Sequence, residues 1–472
     1  MNKIISLVIV SAALFFTSCK KQLDLFPTDT IDATKAFLNV SDLDKGVLGV
    51  YTMNNTKADI DNGNNNIAPL NKIYIGSILA DETKLSDENR GQGQFTFKYQ
   101  FSATESEHND DYRTYYVMLD RANRMLQVID GIPALNAAET VQKTKIKAEL
   151  LALRAVAHYE LLIRFMPSGY DPNALGVAIM LKSDIGAKPS RNKVGEVVAQ
   201  IEADLAAARG EANIPDAPTN VLRLSKAAIA AYQSRVAMLK RDWPSAITFA
   251  TSAITLSGKS LAPAASFPAY WGDANELETI WKYRNTQRPQ LLWQDTNGDV
   301  FFEPSDKLKN QFDRTNDVRF PTYFSGDAND TSLVHKYPGS GLGPQINDLK
   351  INRIGEMFLN RAEARAENND LVGASSDINI LRGARISGYV PITFSTKETA
   401  IAEILNERFK ELCFEGFRFF DLKRKGLGVS RNASDVSSPT WQNLPAGNFR
   451  FALPIPQDEI FANPNAVQNP NY

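Results

Sequence analysis

Apolar residues recur every three to four positions along several stretches of this chain, which is the spacing of one face of an α-helix. Such stretches cover residues 36–51, 111–166 and 194–209, and the second is long enough for two successive helices. The same spacing continues in 224–256 and 351–382. The pattern therefore predicts a mainly α fold with only a few short strands.

Two of these stretches share a pattern of helix, short polar turn and helix. The first turn reads Asp242-Trp243-x-x-Ala246 and the second reads Asp370-Leu371-x-x-Ala374. Small residues occur in the first pair where two helices would have to approach closely. They are Ala227, Ala230, Ala231, Ala246, Ala250 and Ala253. Helix pairs that cannot bury their faces alone stack into solenoids, so we predict a tetratricopeptide-like scaffold over about 111–257 and 350–415.

Three segments lack helical periodicity and are predicted to be loops. Residues 54–66 are rich in Asn and Asp, and residues 258–345 are rich in Pro, Gly, Asn and aromatics. Residues 84–108 are polar, with an alternation of Phe95, Phe97 and Tyr99 that fits an edge strand or a surface loop. Insertions this long in a helical repeat usually carry function. We therefore expect the ligand site in loops at about 54–108 and 258–345.

Residues 407–426 combine the end of a predicted helix with a dense mixture of aromatics and charges. Gly416 suits the left-handed turn that ends a helix, and Phe417, Phe419 and Phe420 follow it. Such a segment can be a ligand site or a buried structural clasp, and composition favours the clasp. Its charges are expected to pair with one another, since an isolated buried charge is costly. The residues assigned to this clasp are Glu407, Arg408, Glu415, Gly416, Arg418 and Asp421.

Composition describes an ordinary globular chain of 472 residues, 43% hydrophobic and 22% charged. Fifty-two basic and 54 acidic residues give a net charge of -2, so no overall positive field attracts nucleic acid. Cys19 and Cys413 are the two cysteines. Cys413 lies between apolar neighbours and is expected to be an inert core thiol.

The N-terminus resembles a bacterial lipoprotein signal. A lysine and a short apolar run lead to Phe16-Thr17-Ser18-Cys19, which is similar to a lipobox, whereas the alternative is an ordinary cleaved signal with a chance cysteine. We interpret residues 1–18 as the signal peptide, Cys19 as the lipidated residue and residues 19–35 as a tether. At ~0.8 kcal/mol per buried methylene, several acyl chains would anchor the protein without a spanning helix.

The sequence contains one candidate for catalytic or metal chemistry, a calcium loop. The three histidines lack metal-ligand spacing, and His158 fits a satisfied core residue. Asp295, Asn297 and Asp299 occupy alternate positions of a calcium loop, which Glu303 and Asp306 would extend. Val300 stands where that loop requires glycine, and the alternative is a solvated turn. We predict no cofactor other than this possible structural calcium.

Aromatic residues in the irregular segments are a second group of candidate ligand-binding residues. An exposed ring can stack on the apolar face of a sugar while neighbouring polar groups bond its hydroxyls. Trp293, in a polar stretch, is the best exposed candidate, and Tyr323 is a second. Trp281, with apolar neighbours, is assigned to packing.

Several motifs together resemble the SusD/RagB family of Bacteroidetes outer-membrane lipoproteins. They are the lipobox, QLDLFPTD near residue 22, the helix pairs, RIGEMFLNRAEARAE, NERFKELCFEGFRFFDLKRKG and LPIPQDEIFANPNAVQNPNY. The resemblance spans nearly the whole chain and implies a single SusD-like domain over 36–472, with family motifs over 403–472. The fold that it implies is a SusD-like α-α superhelix of four tetratricopeptide-like helix pairs with long loop insertions.

The resemblance also implies a function. It indicates a nutrient-binding protein rather than an enzyme, lipid-anchored to the outer membrane and facing the cell surface. Such a protein binds oligosaccharide or polysaccharide and hands it to a SusC-like TonB-dependent transporter. Capture of peptides, as in RagB-like members, is the alternative, and a hydrolase using loop carboxylates is a third hypothesis.

One departure from the family pattern concerns the ligand. Starch-binding relatives carry tryptophans just after the segment that resembles 78–82, whereas residues 83–94 contain no aromatic side chain in this sequence. Starch is therefore disfavoured as the ligand. We expect Asp81, Asn89 and Arg90 to contribute hydrogen bonds instead.

Overall fold

Helices form most of the computed structural model, which describes residues 36–52, 68–104, 106–184, 186–286, 299–325 and 333–472. The helices in these ranges are α1 Val40–Tyr51, α2 Ala68–Ile78, α3 Gln94–Phe97, α4 Ser106–Val128, α5 Ala137–Phe165, α6 Val194–Gly210, α7 Lys226–Lys240, α8 Trp243–Ser257, α9 Phe267–Trp271, α10 Asp306–Lys309, α11 Arg319–Tyr323, α12 Ile354–Glu367, α13 Leu371–Arg385, α14 Lys397–Glu411, α15 Arg418–Lys425 and α16 Gln457–Ala462. The prediction of a mainly α fold is confirmed.

Short strands connect and brace the helices. They are β1 Thr83–Leu85, β2 Thr279–Tyr283, β3 Phe302–Pro304, β4 Phe324–Ser325, β5 Leu333–Val334, β6 Gly339–Ser340, β7 Gly343–Pro344, β8 Leu349–Arg353, β9 Val429–Ser430 and β10 Asn443–Leu444. They form antiparallel pairs, β1 with β3, β2 with β8, β4 with β5, β6 with β7 and β9 with β10. Six of these ten strands, β2 to β7, lie within the 258–345 segment predicted to be irregular.

The predicted helix hairpins are present as α7–α8 and α12–α13, and α8 packs on α12 so that the two hairpins stack. The alanines singled out at the first hairpin, from Ala227 to Ala253, are fully buried. Upstream, α4 packs on α5 and α5 on α6. The tetratricopeptide-like scaffold is therefore confirmed.

Both hairpin turns use the same local chemistry. Arg241 and Asn369 adopt left-handed backbone angles, with φ of +61° and +63°. The aspartate that follows caps the next helix: Asp242 accepts a hydrogen bond from the Ser245 N–H at 3.2 Å, and Asp370 accepts one from the Gly373 N–H at 2.8 Å. The cap satisfies an N–H group that the first turn of a helix leaves unpaired.

We expect Asp242→Ala and Asp370→Ala each to lower the free energy of unfolding by about 1 kcal/mol, because each removes one cap. Urea denaturation at neutral pH measures the change. Asp242→Asn and Asp370→Asn, which keep an accepting oxygen, serve as controls and should recover most of the loss. A loss in the asparagine variants as large as in the alanine variants would contradict the capping role.

Two local predictions are wrong. Phe95 and Phe97 lie in α3 rather than in an edge strand or a surface loop. The helix before the clasp ends at Glu411, and Gly416, although left-handed at φ +75°, lies five residues further on. A Cβ on Gly416 would stand 2.7 Å from the carbonyl oxygen of Lys72 in α2. Glycine is thus required there by close approach to a distant helix.

Three residues assigned to the core are buried as predicted. Trp281 lies in β2 with no exposed surface, and Cys413 is a fully buried free thiol whose pKa is raised by burial. His158 lies within α5, and burial lowers its pKa to about 4. Its Nδ1 is 3.0 Å from the Arg154 carbonyl oxygen, and its Nε2 accepts the Met180 N–H at 3.1 Å. His158 is therefore a neutral core residue with both nitrogens bonded.

Some predictions fall outside the described residues. These are the signal peptide, the lipidation of Cys19, the tether and the whole of the 54–66 loop. Within the described ranges, no helix has both the length and the apolar character needed to span a membrane.

Candidate ligand-binding surface

The segment after α2 is held against the 258–345 insertion by a short antiparallel ladder. β1 pairs with β3 so that Lys84 lies opposite Glu303, and Lys84 Nζ is 3.4 Å from that carboxylate. Beyond the ladder, the Ser86 N–H donates to the Phe301 carbonyl at 3.2 Å. We call the surface formed by 83–95 and 299–306 the loop surface. It joins the two regions in which a ligand site is expected.

Asn89 organises the turn of the loop surface. Its Nδ2 donates to the carbonyls of Gln92 at 2.9 Å and Phe301 at 3.0 Å. Its Oδ1 accepts the Gly91 N–H at 2.9 Å and the Gln94 Nε2 at 3.1 Å. The side-chain amide therefore bonds the protein itself on both its nitrogen and its oxygen, which gives Asn89 a structural role beside the predicted ligand contact.

Arg90 projects from the same turn. Its side chain is 66% exposed, and its Nη2 lies 2.6 Å from Oδ2 of Asp299. Phe95, five residues further along the chain in α3, is 57% exposed. A guanidinium held by a carboxylate and an exposed aromatic ring are the two kinds of group that bind a sugar, through its hydroxyls and its apolar face respectively. Arg90 therefore stays a candidate ligand residue, and Phe95 joins it.

The structure contradicts a ligand-binding role for Asp81. Its carboxylate is buried and forms a bidentate pair with Arg418, at 2.7 and 2.9 Å, and an ion pair with Lys307 at 2.7 Å. Burial alone would raise the pKa of Asp81, but Arg418 and Lys307 lower it to about 2. Asp81 holds α2 to the clasp and presents no surface to a ligand.

Tyr323 is likewise wrongly assigned to ligand binding. It has no exposed surface, and its hydroxyl donates to the Glu411 carbonyl at 3.3 Å. Its ring packs edge-on against Trp271 at 5.9 Å between centroids. An aromatic cluster in the core accounts for this tyrosine, since large rings stabilise a core by burying extensive area.

Trp293, Asp295 and Asn297 lie outside the described residues, so their assignments to ligand and calcium remain predictions. Asp299 pairs with Arg90. Glu303, which was to extend the calcium loop, pairs with Lys84. Within the described part of the chain, no group of three or more acidic, histidine or cysteine side chains is arranged to hold a metal ion.

The clasp belongs to a buried cluster of ion pairs. Glu411, at the end of α14, contacts three guanidinium groups, those of Arg353 at 2.7 Å and of Arg385 and Arg319 at 3.0 Å. Glu415 contacts Arg353 at 2.7 Å. Burial alone would raise the pKa of Glu411, but these arginines hold it well below its ordinary value. We call this the ion cluster, and its members are Glu278, Asp317, Arg319, Lys336, Arg353, Arg385, Glu407, Glu411 and Glu415.

The prediction that the clasp charges pair with one another is confirmed in part. Within residues 407–426, Arg408 contacts Asp421 in a bidentate pair, with both distances at 2.9 Å, Asp421 also contacts Arg424 at 2.9 Å, and Glu407 contacts Lys410 at 3.2 Å. Glu407 pairs in addition with Arg319, and Glu415 and Arg418 pair with residues from other parts of the chain. All of these charges are buried or nearly so, and their arrangement is that of a structural clasp rather than of a ligand site.

Sequence reasoning did not identify the cationic half of the ion cluster. Arg319, Arg353 and Arg385 belong to α11, β8 and α13, and nothing local marks them as partners of α14. One signal in the sequence points to these cations. Counter-charges are required by three closely spaced carboxylates, those of Glu407, Glu411 and Glu415. At a spacing of four residues these carboxylates would repel one another without such partners.

The fold and surface define a helical-repeat protein whose helix pairs form a scaffold and whose inserted loops carry the exposed polar and aromatic groups. This chain belongs to the SusD family. The model described as "SusD family" matches residues 280–472, and the model described as "Starch-binding associating with outer membrane" matches residues 37–238. Together they cover both halves of the chain. A search of curated proteins finds no match.

Solved structures agree in fold over almost the whole chain. A SusD superfamily protein from Bacteroides thetaiotaomicron is 25% identical, with a TM-score of 0.80, covering 92% of this chain and 100% of its own. A SusD-like carbohydrate binding protein from Bacteroides vulgatus is 19% identical, with a TM-score of 0.77 and coverage of 91% and 97%. Surface glycan-binding protein A from Bacteroides uniformis is 19% identical, with a TM-score of 0.73 and coverage of 91% and 99%.

Proposed function

We propose that this protein is a lipoprotein of the outer membrane that binds oligosaccharide or polysaccharide at the cell surface. It hands the bound glycan to a partner SusC-like TonB-dependent transporter and does not cleave it. Membership of the SusD family supports this proposal, since one matching family model is described as starch-binding and associated with the outer membrane. The sugar-binding names of two similar structures agree with it.

The observation that carries the binding role is the loop surface. Arg90 and Phe95 are exposed there on a turn that Asn89 and the β1–β3 ladder hold in place. A site organised before the ligand arrives loses less entropy on binding, which favours affinity. Trp293, which the sequence predicts to be a ligand residue, would supply a second ring.

Gel retardation and calorimetry against plant, host and microbial glycans test the proposal. Binding to at least one glycan, without release of shorter products, is the expected result. Binding to peptides and to no glycan would contradict it, and so would turnover of a bound polymer by the pure protein. Co-purification of a TonB-dependent transporter with the full-length protein tests the partner.

We expect Arg90→Ala to weaken glycan binding about tenfold or more, because a hydrogen bond to a charged group is worth ~1.5–3 kcal/mol. The melting temperature should stay unchanged, since the side chain is 66% exposed. Lys45→Ala on α1, whose side chain is 76% exposed, is the control and should bind as the wild type does. Unchanged affinity in Arg90→Ala would place the glycan site away from the loop surface.

A further inference from the structure

A cleft of about 650 Å³ lies between α4, the segment 178–191 and the C-terminal residues 455–466. Its volume falls within the ~300–1,000 Å³ typical of small-molecule sites. It shares no lining residue with the loop surface. Neither the family motifs nor the predicted loops assign it a function.

The cleft has an aromatic and apolar lining. Tyr112 and Tyr116 on α4 are half-buried, with ring centroids 4.6 Å apart and planes inclined at 49°. Phe165 braces the ring of Tyr112 edge-on at 5.1 Å. Apolar side chains continue the lining, namely Met180, Ile455, Pro456, Ala462 and Ala466. Half-buried tyrosines combine an apolar ring with a polar hydroxyl, which suits a ligand that is both.

The wall at 178–180 is fixed by side chains rather than by a sheet. Tyr116 accepts the Ala178 N–H at 3.1 Å, and its hydroxyl lies 3.2 Å from the Ala178 carbonyl oxygen. The Ile179 N–H donates to Asn192 Oδ1 at 3.0 Å. These bonds hold the backbone of the wall to Tyr116 on α4 and to Asn192.

Met180 completes the wall. Its N–H donates to His158 Nε2 at 3.1 Å, and its carbonyl accepts Asn123 Nδ2 at 2.8 Å. Five of the six main-chain N–H and carbonyl groups of 178–180 are thus bonded within the protein. A peptide could not pair with this wall by adding a strand, because strand addition requires free N–H and carbonyl groups along an edge. Recognition in the cleft must therefore come from side chains.

Charged side chains of both signs surround the opening. Arg113 on α4 and Lys182 in the segment 178–191 are exposed, and Asp458 and the half-buried Glu459 belong to α16. Guanidinium and carboxylate groups each offer two parallel hydrogen-bonding atoms, a geometry that matches neighbouring hydroxyls of a sugar ring.

We propose that this cleft is a second carbohydrate-binding site, in which sugar rings lie on Tyr112 and Tyr116 while Arg113 and Asp458 bond their hydroxyls. The inference rests on the proposed function and extends it to a site away from the loop surface. Two sites on one molecule raise the affinity for a long chain without any new contact, because binding at one site raises the local concentration at the other.

The test uses maltohexaose, cellohexaose, xylohexaose and mannohexaose as probes on the full-length protein. Calorimetry of the best binder should give two sites per molecule. The double variant Arg113→Ala/Asp458→Ala should leave one site, and Arg90→Ala should weaken the other about tenfold or more. Hydrogen exchange mass spectrometry should show that the sugar protects 178–191 and 455–466 in the wild type and not in the double variant.

Lys45→Ala/Asp216→Ala is the matched control, since it removes one exposed cation and one exposed carboxylate that do not line the cleft. It should keep two sites. One site per molecule, lost in Arg90→Ala and unchanged in the cleft variant, would overturn the second site while leaving the proposed function standing. No binding of any glycan would overturn both, and protection of the cleft by peptides alone would overturn its carbohydrate specificity.

Discussion

Glu411→Gln is expected to lower the free energy of unfolding by about 3–5 kcal/mol, which is the usual loss when one partner of a buried ion pair is removed. The carboxylate has no exposed surface and contacts Arg319, Arg353 and Arg385. Glutamine fills the same volume, so the loss would come from charge rather than from packing. Chemical denaturation at neutral pH measures it.

Glu403→Gln on the same helix is the control. Its side chain is 49% exposed and contacts Arg382 at 2.8 Å. Exposed pairs contribute about 0–1 kcal/mol, so this variant should stay close to the wild type. If the two variants lost the same stability, the ion cluster would not be a main determinant of the fold.

Glu82→Gln is expected to change how stability depends on pH. Glu82 has no exposed surface, and its Oε1 accepts the Phe414 N–H at 3.0 Å. No cation lies within ion-pair distance of Glu82 among the residues that the structure describes. Burial raises its pKa from 4.5 to about 7, against the opposing effects of hydrogen bonds from Ser77 and Phe414.

The sign of the effect follows from proton binding. Between pH 4.5 and 7 the unfolded chain has released this proton and the folded protein keeps it, so stability falls as pH rises. The fall attributable to Glu82 is about 3 kcal/mol at 1.36 kcal/mol per pH unit. The stability of Glu82→Gln relative to the wild type should therefore rise by about that amount between pH 4.5 and 8.

Urea denaturation at several pH values gives this difference directly. Glu82→Asp keeps a carboxyl group and should keep the wild-type trend, which separates titration from a change in packing. A constant difference between Glu82→Gln and the wild type at all pH values would show that Glu82 does not hold its proton in the folded state.

The helical scaffold could be predicted because its determinants are local. The periodicity of α7 and α8, the buried alanines and the caps Asp242 and Asp370 all lie within a few residues of the structure they specify. The alternation of Phe95 and Phe97 led to a wrong prediction, because a spacing of two residues also occurs in the short turn of helix that follows the left-handed Gly93. Over so few residues, periodicity does not separate strand from helix.

The candidate site was less predictable because its burial and pairing depend on distant residues. Asp81 follows a predicted helix, and nothing near it in sequence indicates its pairing with the distant Arg418. Tyr323 lies in a segment predicted to be irregular, and residues distant in sequence bury it in the core. Arg113 and Asp458 come together only through the packing of α16 near α4. Arg90, predicted to hydrogen-bond the ligand, is exposed in a turn whose sequence is polar, and its role in binding stays a prediction.

The close contact between α2 and the clasp bears on the order in which the chain can fold. Gly76 and Gly416 touch backbone to backbone, although they lie near opposite ends of the sequence. Contacts between such distant positions cost loop-closure entropy before they return any energy, and they slow folding. A fragment ending before α14 would also leave the arginines of the ion cluster without Glu407, Glu411 and Glu415. The chain therefore cannot complete its core until roughly its last sixth has been synthesised, and until then the unpaired arginines and the uncovered face of α2 are exposed in a partly folded chain that is prone to aggregate.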